Sequence, residues 1–152
     1  MDGRNPTVLA ELDSSFAVIG DVQFLPGYAL ALSKVPGADR LSDLPRPERV
    51  RYLADVDLVA CAVENVCSAR DSGYRRVNVK ILGNTDAFLH AHVWPRYVWE
   101  PADVGGKPVW SYPAECWSDP GTALGTDQDE LRADLTAEVV RLRDSAEFRL
   151  TL

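Results

Sequence analysis

Cysteine, histidine and methionine are all scarce in this 152-residue chain, with three, two and one copies respectively. The cysteines, Cys61, Cys67 and Cys116, are odd in number and nowhere spaced as Cys-x-x-Cys. That argues against a disulfide framework and a cysteine-built zinc site, and makes buried free thiols the expectation. Also missing is any run near the roughly 18 consecutive apolar residues of a membrane-spanning helix. The opening Met1-Asp2-Gly3-Arg4-Asn5-Pro6 has no apolar centre of the signal-peptide kind, so a cytoplasmic location is expected. Positive charge is the minority sign: 16 Lys and Arg against 23 Asp and Glu leave a net −7. Such a surface repels a phosphate backbone, so neither a nucleic acid nor a membrane is an expected partner. One local pocket can still oppose the global sign and take a small phosphorylated ligand. Neither an internal repeat nor a low-complexity tract is present.

What remains is ordinary for a globular protein, with 46% hydrophobic and 26% charged residues. The length predicts a single domain over residues 1–152, large enough to bury a core without a covalent staple. Phe16–Gly20 reads as a strand, Pro26-Gly27 as a turn and Tyr28–Ser33 as a second strand. Val35–Pro47, with three prolines, reads as a loop holding at most one helical turn. Glu48–Arg70 has neither Pro nor Gly, and Leu53, Val56, Val59, Val63 and Val66 recur at helical spacing. Ser72-Gly73 follows where a glycine C-cap belongs. Arg75–Gly83 alternates as a strand, Asn84-Thr85-Asp86 is turn chemistry, and Phe88–Trp99 is a long strand disturbed at Pro95. A short polar turn between these two strands predicts an antiparallel hairpin. Pro101–Gly125 reads as an ordered loop. Thr126 offers an N-cap for a helix striped by Leu131, Leu135, Val139 and Leu142. Antiparallel neighbours without βαβ repeats define the class as α+β.

The two histidines, His90 and His92, stand two apart, which puts them on one face of a strand together with Phe88 and Trp94. Leu89, Ala91 and Val93 take the opposite, core-facing side. Two adjacent imidazoles can hold a metal, bind an anion, or act as nucleophile and acid–base partner near neutral pH. An amphipathic strand with two half-exposed histidines would look the same. A metal would need a third ligand, and no acid falls convincingly on a neighbouring strand.

The run Leu82-Gly83-Asn84-Thr85-Asp86-Ala87-Phe88-Leu89-His90-Ala91-His92-Val93-Trp94-Pro95-Arg96-Tyr97 resembles the signature of the histidine-triad (HIT) family. In that signature three histidines alternate with apolar residues, often before Pro-Arg, on a strand after a polar phosphate-binding loop. His90 and His92 match the middle and last histidines, and Phe88 stands at the first. Upstream, Phe16–Gly20, Pro26–Leu32 and Ser42-Asp43-Leu44 before the long helix follow the family order, so the likeness spans about residues 16–99, leaving a C-terminal loop and helix over 100–152.

The resemblance implies an antiparallel sheet of about five strands, a long helix packed across it, and a second C-terminal helix. It implies a nucleotide hydrolase acting on a nucleoside phosphoester or phosphoanhydride, such as a dinucleoside polyphosphate, through a nucleotidyl-histidine intermediate. The alternatives are a phosphorylase or nucleotidyl transferase, or a nucleotide-binding module without turnover. His90 takes the role of nucleophile and His92 contacts the phosphate and leaving oxygens. Asn84 and Thr85 fall on the phosphate loop, Asp21 on the ribose position, and Arg96 near a distal phosphate. Phe88 and Tyr28 replace histidines common in the family, which predicts less polar support for the nucleophile. No cofactor or metal is implied for the covalent step, and a homodimer joined sheet edge to sheet edge is expected. Trp94, Trp99, Trp110 and Trp117 gather after the motif, where they could cover the site or a subunit contact.

Overall fold

The computed structural model describes residues 5–149. Five strands form one antiparallel sheet: β1 (Val8–Glu11), β2 (Ser15–Ile19), β3 (Ala29–Ser33), β4 (Tyr74–Lys80) and β5 (His90–Tyr97), in the order β1-β2-β3-β5-β4. A long helix, α1 (Arg46–Arg70), packs across one face, and α3 (Asp129–Arg143) packs against α1 and β1. A short helix, α2 (Ala114–Ser118), lies within the segment between β5 and α3. This is the α+β arrangement that the sequence predicts.

Small residues let α1 lie close on the sheet. Ala17, Ala29, Ala31 and Ala91 are fully buried, and they face the α1 residues Val56, Val59 and Val63. Tyr52 is also fully buried, and its hydroxyl donates to the carbonyl of Ala31 at 3.0 Å. Leu53, by contrast, is 42% exposed, and Tyr52 takes its place at the start of the buried stripe that Val56, Val59, Val63 and Val66 continue as expected. Asp55 is buried as well. Its carboxylate accepts from the Ser14 N–H and the Ser15 hydroxyl, both at 2.8 Å, and so ties α1 to the β1–β2 turn. Leu135 and Val139 of α3 complete the core, while Arg70 pairs with Asp134, and Asn65 donates to Glu138, across the α1–α3 contact.

Several boundaries differ from the sequence expectation, each for a local reason. Strand β1 escapes the pattern because Leu9 and Ala10 are both buried and the register slips between Val8 and Ala10, which removes the alternation. Helix α1 begins at Arg46, since Pro47 is tolerated in a first turn where its missing N–H has no partner to lose. The Leu41–Asp43 segment supplies the single helical turn of the preceding loop. Gly73 is not a left-handed cap. Asp71 ends α1 with extended geometry, and its carboxylate accepts the Gly73 N–H at 2.7 Å. A Cβ there would sit 2.7 Å from Trp99 Cδ1, so any larger residue would have to displace the Trp99 ring. β4 and β5 are antiparallel neighbours, but the link between them is the whole of residues 81–89 rather than a short turn. Thr126 opens a 3-10 turn ahead of α3 instead of capping it, and Gln128 Oε1 accepts the Gly125 N–H at 2.8 Å. All three cysteines are free, with Cys67 buried and Cys61 and Cys116 only half-buried. Burial pushes the Cys67 thiol up to about 11, which keeps it protonated and inert.

Candidate active site

Strand β5 presents His90 and His92 on the sheet face away from α1, while Leu89, Ala91 and Val93 are buried against the core. The two imidazoles meet edge to face with centroids 4.7 Å apart. They differ in what holds them. His90 is 4% exposed, and its Nδ1 lies 2.8 Å from the Phe88 carbonyl oxygen. A carbonyl can only accept, so the neutral ring carries its proton on Nδ1 and leaves a lone pair on Nε2. That carbonyl is fixed by backbone bonds on either side: Phe88 N–H to Asp86 O at 2.9 Å, Leu89 N–H to Ala38 O at 2.8 Å, and Ser33 N–H to Leu89 O at 3.0 Å.

His92 is half-buried, and its Nδ1 lies 2.7 Å from the Tyr28 hydroxyl. Burial and the nearby Asp21 charge raise the Tyr28 pKa well above that of a free phenol, so this hydroxyl stays protonated and donates. His92 then carries its own proton on Nε2. Burial, followed by the charges of His90 and Lys80, brings the His92 pKa down to about 4, against a small opposing effect of Asp86. Near neutral pH His92 is therefore a neutral N–H donor, beside an imidazole whose Nδ1 is committed to the Phe88 carbonyl.

A consequence for stability follows from that depressed value. The unfolded chain takes up a proton on His92 near pH 6.5, whereas the folded chain resists until about 4. Between these values the unfolded state holds more protons, so stability falls with falling pH, by up to about 3 kcal/mol once both values are passed. In chemical denaturation at pH 7 and pH 4.5, wild type is expected to lose more stability than His92→Gln, and the difference reports this histidine. Equal losses would remove the assignment.

The rest of the expected site is distributed unevenly. Tyr28 keeps polar support in the site, though for His92 rather than His90. Its ring stacks on Trp94 at 3.5 Å, and a Cβ on Gly20 would fall 2.0 Å from Tyr28 Cδ1, so only glycine fits beside it. Phe88 does not cost His90 its partner, because the partner is the Phe88 backbone; the Phe88 ring is exposed and lies 4.5 Å from the His90 ring. Asp21 is exposed and close enough to Tyr28 to act on its charge, while its carbonyl accepts the Leu124 N–H at 2.8 Å. Asn84 and Thr85 are exposed on the 81–89 link.

Arg96 is not available to a phosphate. It is 2% exposed, and its guanidinium is engaged by Glu100, Asn78 Oδ1 and the carbonyls of Val104, Gly105 and Lys107. The tryptophans do not form one group either. Trp94 is core and packs with Trp117 and Phe24. Trp99 stacks on Tyr97, and Trp110 is 57% exposed next to Lys80.

One contributor was invisible in the sequence. Gln23 is buried, donates from Nε2 to the carbonyls of Gly20 and Tyr28 at 2.9 and 3.0 Å, and accepts the Gly27 N–H at 2.9 Å. It shapes the 20–28 loop that delivers Tyr28. A lone glutamine beside a Pro-Gly turn gives no signal by which to find it.

Among the described residues no group of three or more His, Cys, Asp or Glu is placed to hold a metal ion. No helix there is long and apolar enough to cross a membrane.

No family model matches the sequence, and no curated protein matches it either. Solved structures do. A histidine triad protein from Marinobacter aquaeolei VT8 is 21% identical, with 88% of each chain covered and a TM-score of 0.65. A histidine triad (HIT) protein from Sinorhizobium meliloti 1021 is 18% identical over 88% of this chain and 87% of that one, with a TM-score of 0.66. The Plasmodium falciparum diadenosine triphosphate hydrolase is 14% identical over 93% and 81%, with a TM-score of 0.55. The chain has the histidine-triad fold.

Proposed function

We propose that this chain is a nucleotide hydrolase that cleaves a nucleoside phosphoanhydride or phosphoester through a nucleotidyl group on His90, working as one HIT-like domain in a cytoplasmic homodimer. The observation that carries the reading is the 2.8 Å contact of His90 Nδ1 with the Phe88 carbonyl, which leaves Nε2 as a nucleophile. Nε2 attacks the α-phosphorus, a P–N bond forms, and the P–O bond to the leaving group breaks with its electron pair. The ring, now positively charged, is stabilised by the Phe88 carbonyl through Nδ1–H. His92 Nε2–H donates to a phosphoryl or leaving oxygen, where negative charge develops. Water then attacks phosphorus, the P–N pair returns to Nε2, and the water proton is lost to solvent. Asp21 is assigned the ribose hydroxyls, and Asn84 and Thr85 the phosphates. The likeness to a diadenosine triphosphate hydrolase supports the substrate class. The two sheet edges, β1 and β4, offer the means of joining copies.

Incubation of metal-free protein with diadenosine tetraphosphate, with and without inorganic phosphate, tests the reading. Hydrolysis yields AMP and ATP without added phosphate. ADP and ATP formed only with phosphate would instead define a phosphorylase, and binding without product a nucleotide-binding module. Light scattering is expected to give twice the monomer mass.

A further inference from the structure

A groove beside the histidine pair is charged opposite to the rest of the molecule. It is a cavity of about 560 Å³ along β4, bounded by residues 106–110, and its walls include Arg76, Lys80 and Lys107. No carboxylate lines it, and none of these three cations is in an ion pair among the described residues. In a chain of net charge −7 that is a concentrated positive site. A second, independent feature lies in the same wall. Trp94 lines the groove, is 1% exposed, and carries an indole Nε1–H with no hydrogen-bond partner. An orphan buried donor is costly unless an acceptor reaches it.

The groove also has the right position. Lys80 is opposite His92 in the β4–β5 register, so the positive wall starts beside the histidine pair. From Lys80 to Arg76 the strand runs roughly 13 Å, longer than one phosphate group. Next to it Trp110 is 57% exposed, with the Lys80 ammonium 5.0 Å from its ring centroid. Burial lowers the Lys80 pKa, an effect that a bound anion would oppose.

Resting on the hydrolase reading above, we propose that this groove receives the leaving half of the substrate, a nucleoside di- or triphosphate, with its phosphates on Lys80, Lys107 and Arg76 and its base against Trp110.

The probe is inorganic tripolyphosphate, titrated calorimetrically into wild type, His90→Ala and the double variant Arg76→Gln/Lys107→Gln, with melting temperatures measured to confirm folding. Wild type and His90→Ala are expected to bind it alike, more weakly as salt rises, and the double variant at least tenfold more weakly. The KM for diadenosine tetraphosphate is expected to rise at least tenfold in the double variant while AMP affinity holds. Equal tripolyphosphate affinity in wild type and double variant overturns the groove assignment and leaves the hydrolase reading intact. A fall in assembly mass with unchanged tripolyphosphate affinity also overturns it, and makes the groove a contact between copies. Weakened tripolyphosphate binding together with no turnover of any nucleotide by wild type overturns the hydrolase reading, and with it the leaving-group role, while the oligophosphate site stands.

Discussion

His90→Ala is expected to lower turnover by several orders of magnitude while nucleoside monophosphate binding largely survives. The covalent route needs a lone pair on a neutral ring, and His90 is the imidazole whose Nδ1 is committed to a carbonyl that can only accept, 2.8 Å away. Its neighbour cannot replace it, because the Tyr28 hydroxyl donates to His92 Nδ1 and leaves the proton on Nε2. In the proposed site the ground-state contacts to ribose and phosphate are assigned to Asp21, Asn84 and Thr85, so the loss is expected on kcat and not on binding. His92→Ala removes one donor to the developing charge, a loss of about a hundredfold to a thousandfold. A wild-type protein quenched during turnover of a slow substrate is expected to hold a nucleotidyl group on His90, stable in base and short-lived in acid. Retention of most activity in His90→Ala defeats the mechanism. Loss of activity only on metal removal would move the histidine pair to metal binding. Phe88→His is expected to leave turnover intact or raised, because the backbone carbonyl that orients His90 is kept whatever side chain stands there.

Side chains carry part of this site and the backbone carries the rest. The alternation Leu89, Ala91, Val93 against His90, His92, Trp94 was legible, because a two-residue period on a half-buried strand leaves little freedom. So were the long helix and the antiparallel sheet. The support around the histidines was not. Phe88 reads as a lost polar partner, yet the bond that matters runs through its carbonyl, and backbone bonds have no residue signature. Tyr28 reads as a lost histidine, yet its hydroxyl reaches His92 because Gly20 leaves room for the ring. Gln23 acts through three backbone partners, all within its own loop. Pro-Arg at a strand end is equally compatible with an outward and an inward side chain, and Arg96 turns inward. The choice is made by Glu100, four residues on, which sequence alone does not place.

That choice makes Glu100 the position where one substitution should destabilise the protein most. Its carboxylate accepts three bonds from Arg96, at 3.0, 3.0 and 2.7 Å, and one each from the Tyr97 N–H and the Tyr112 hydroxyl, both at 2.7 Å. Burial disfavours its charge, but these donors prevail and hold its pKa below the usual glutamate value. The side chains of Arg96 and Glu100 are 2% and 0% exposed. Glu100→Ala would leave a guanidinium buried without its counter-charge and two further donors unpaired, a loss of about 3–5 kcal/mol. Native domains have only about 5–15 kcal/mol in total, so the melting transition should move far or disappear. The pair is costly to break yet replaceable: exchanging both partners for apolar residues, Arg96→Met with Glu100→Leu, should recover part of the loss, because no charge is then stranded. Urea denaturation of the single and double variants measures both effects. A double variant as unstable as Glu100→Ala would show that the damage comes from the severed ties to the 104–112 segment, whose carbonyls at Val104, Gly105 and Lys107 also accept from Arg96. The same segment carries Tyr112 against Phe24, at a 5.0 Å centroid distance, and Phe24 packs on Trp94. In either case the ion pair acts on the histidine face indirectly, by fixing the segment that closes over Trp94 and bounds the basic groove.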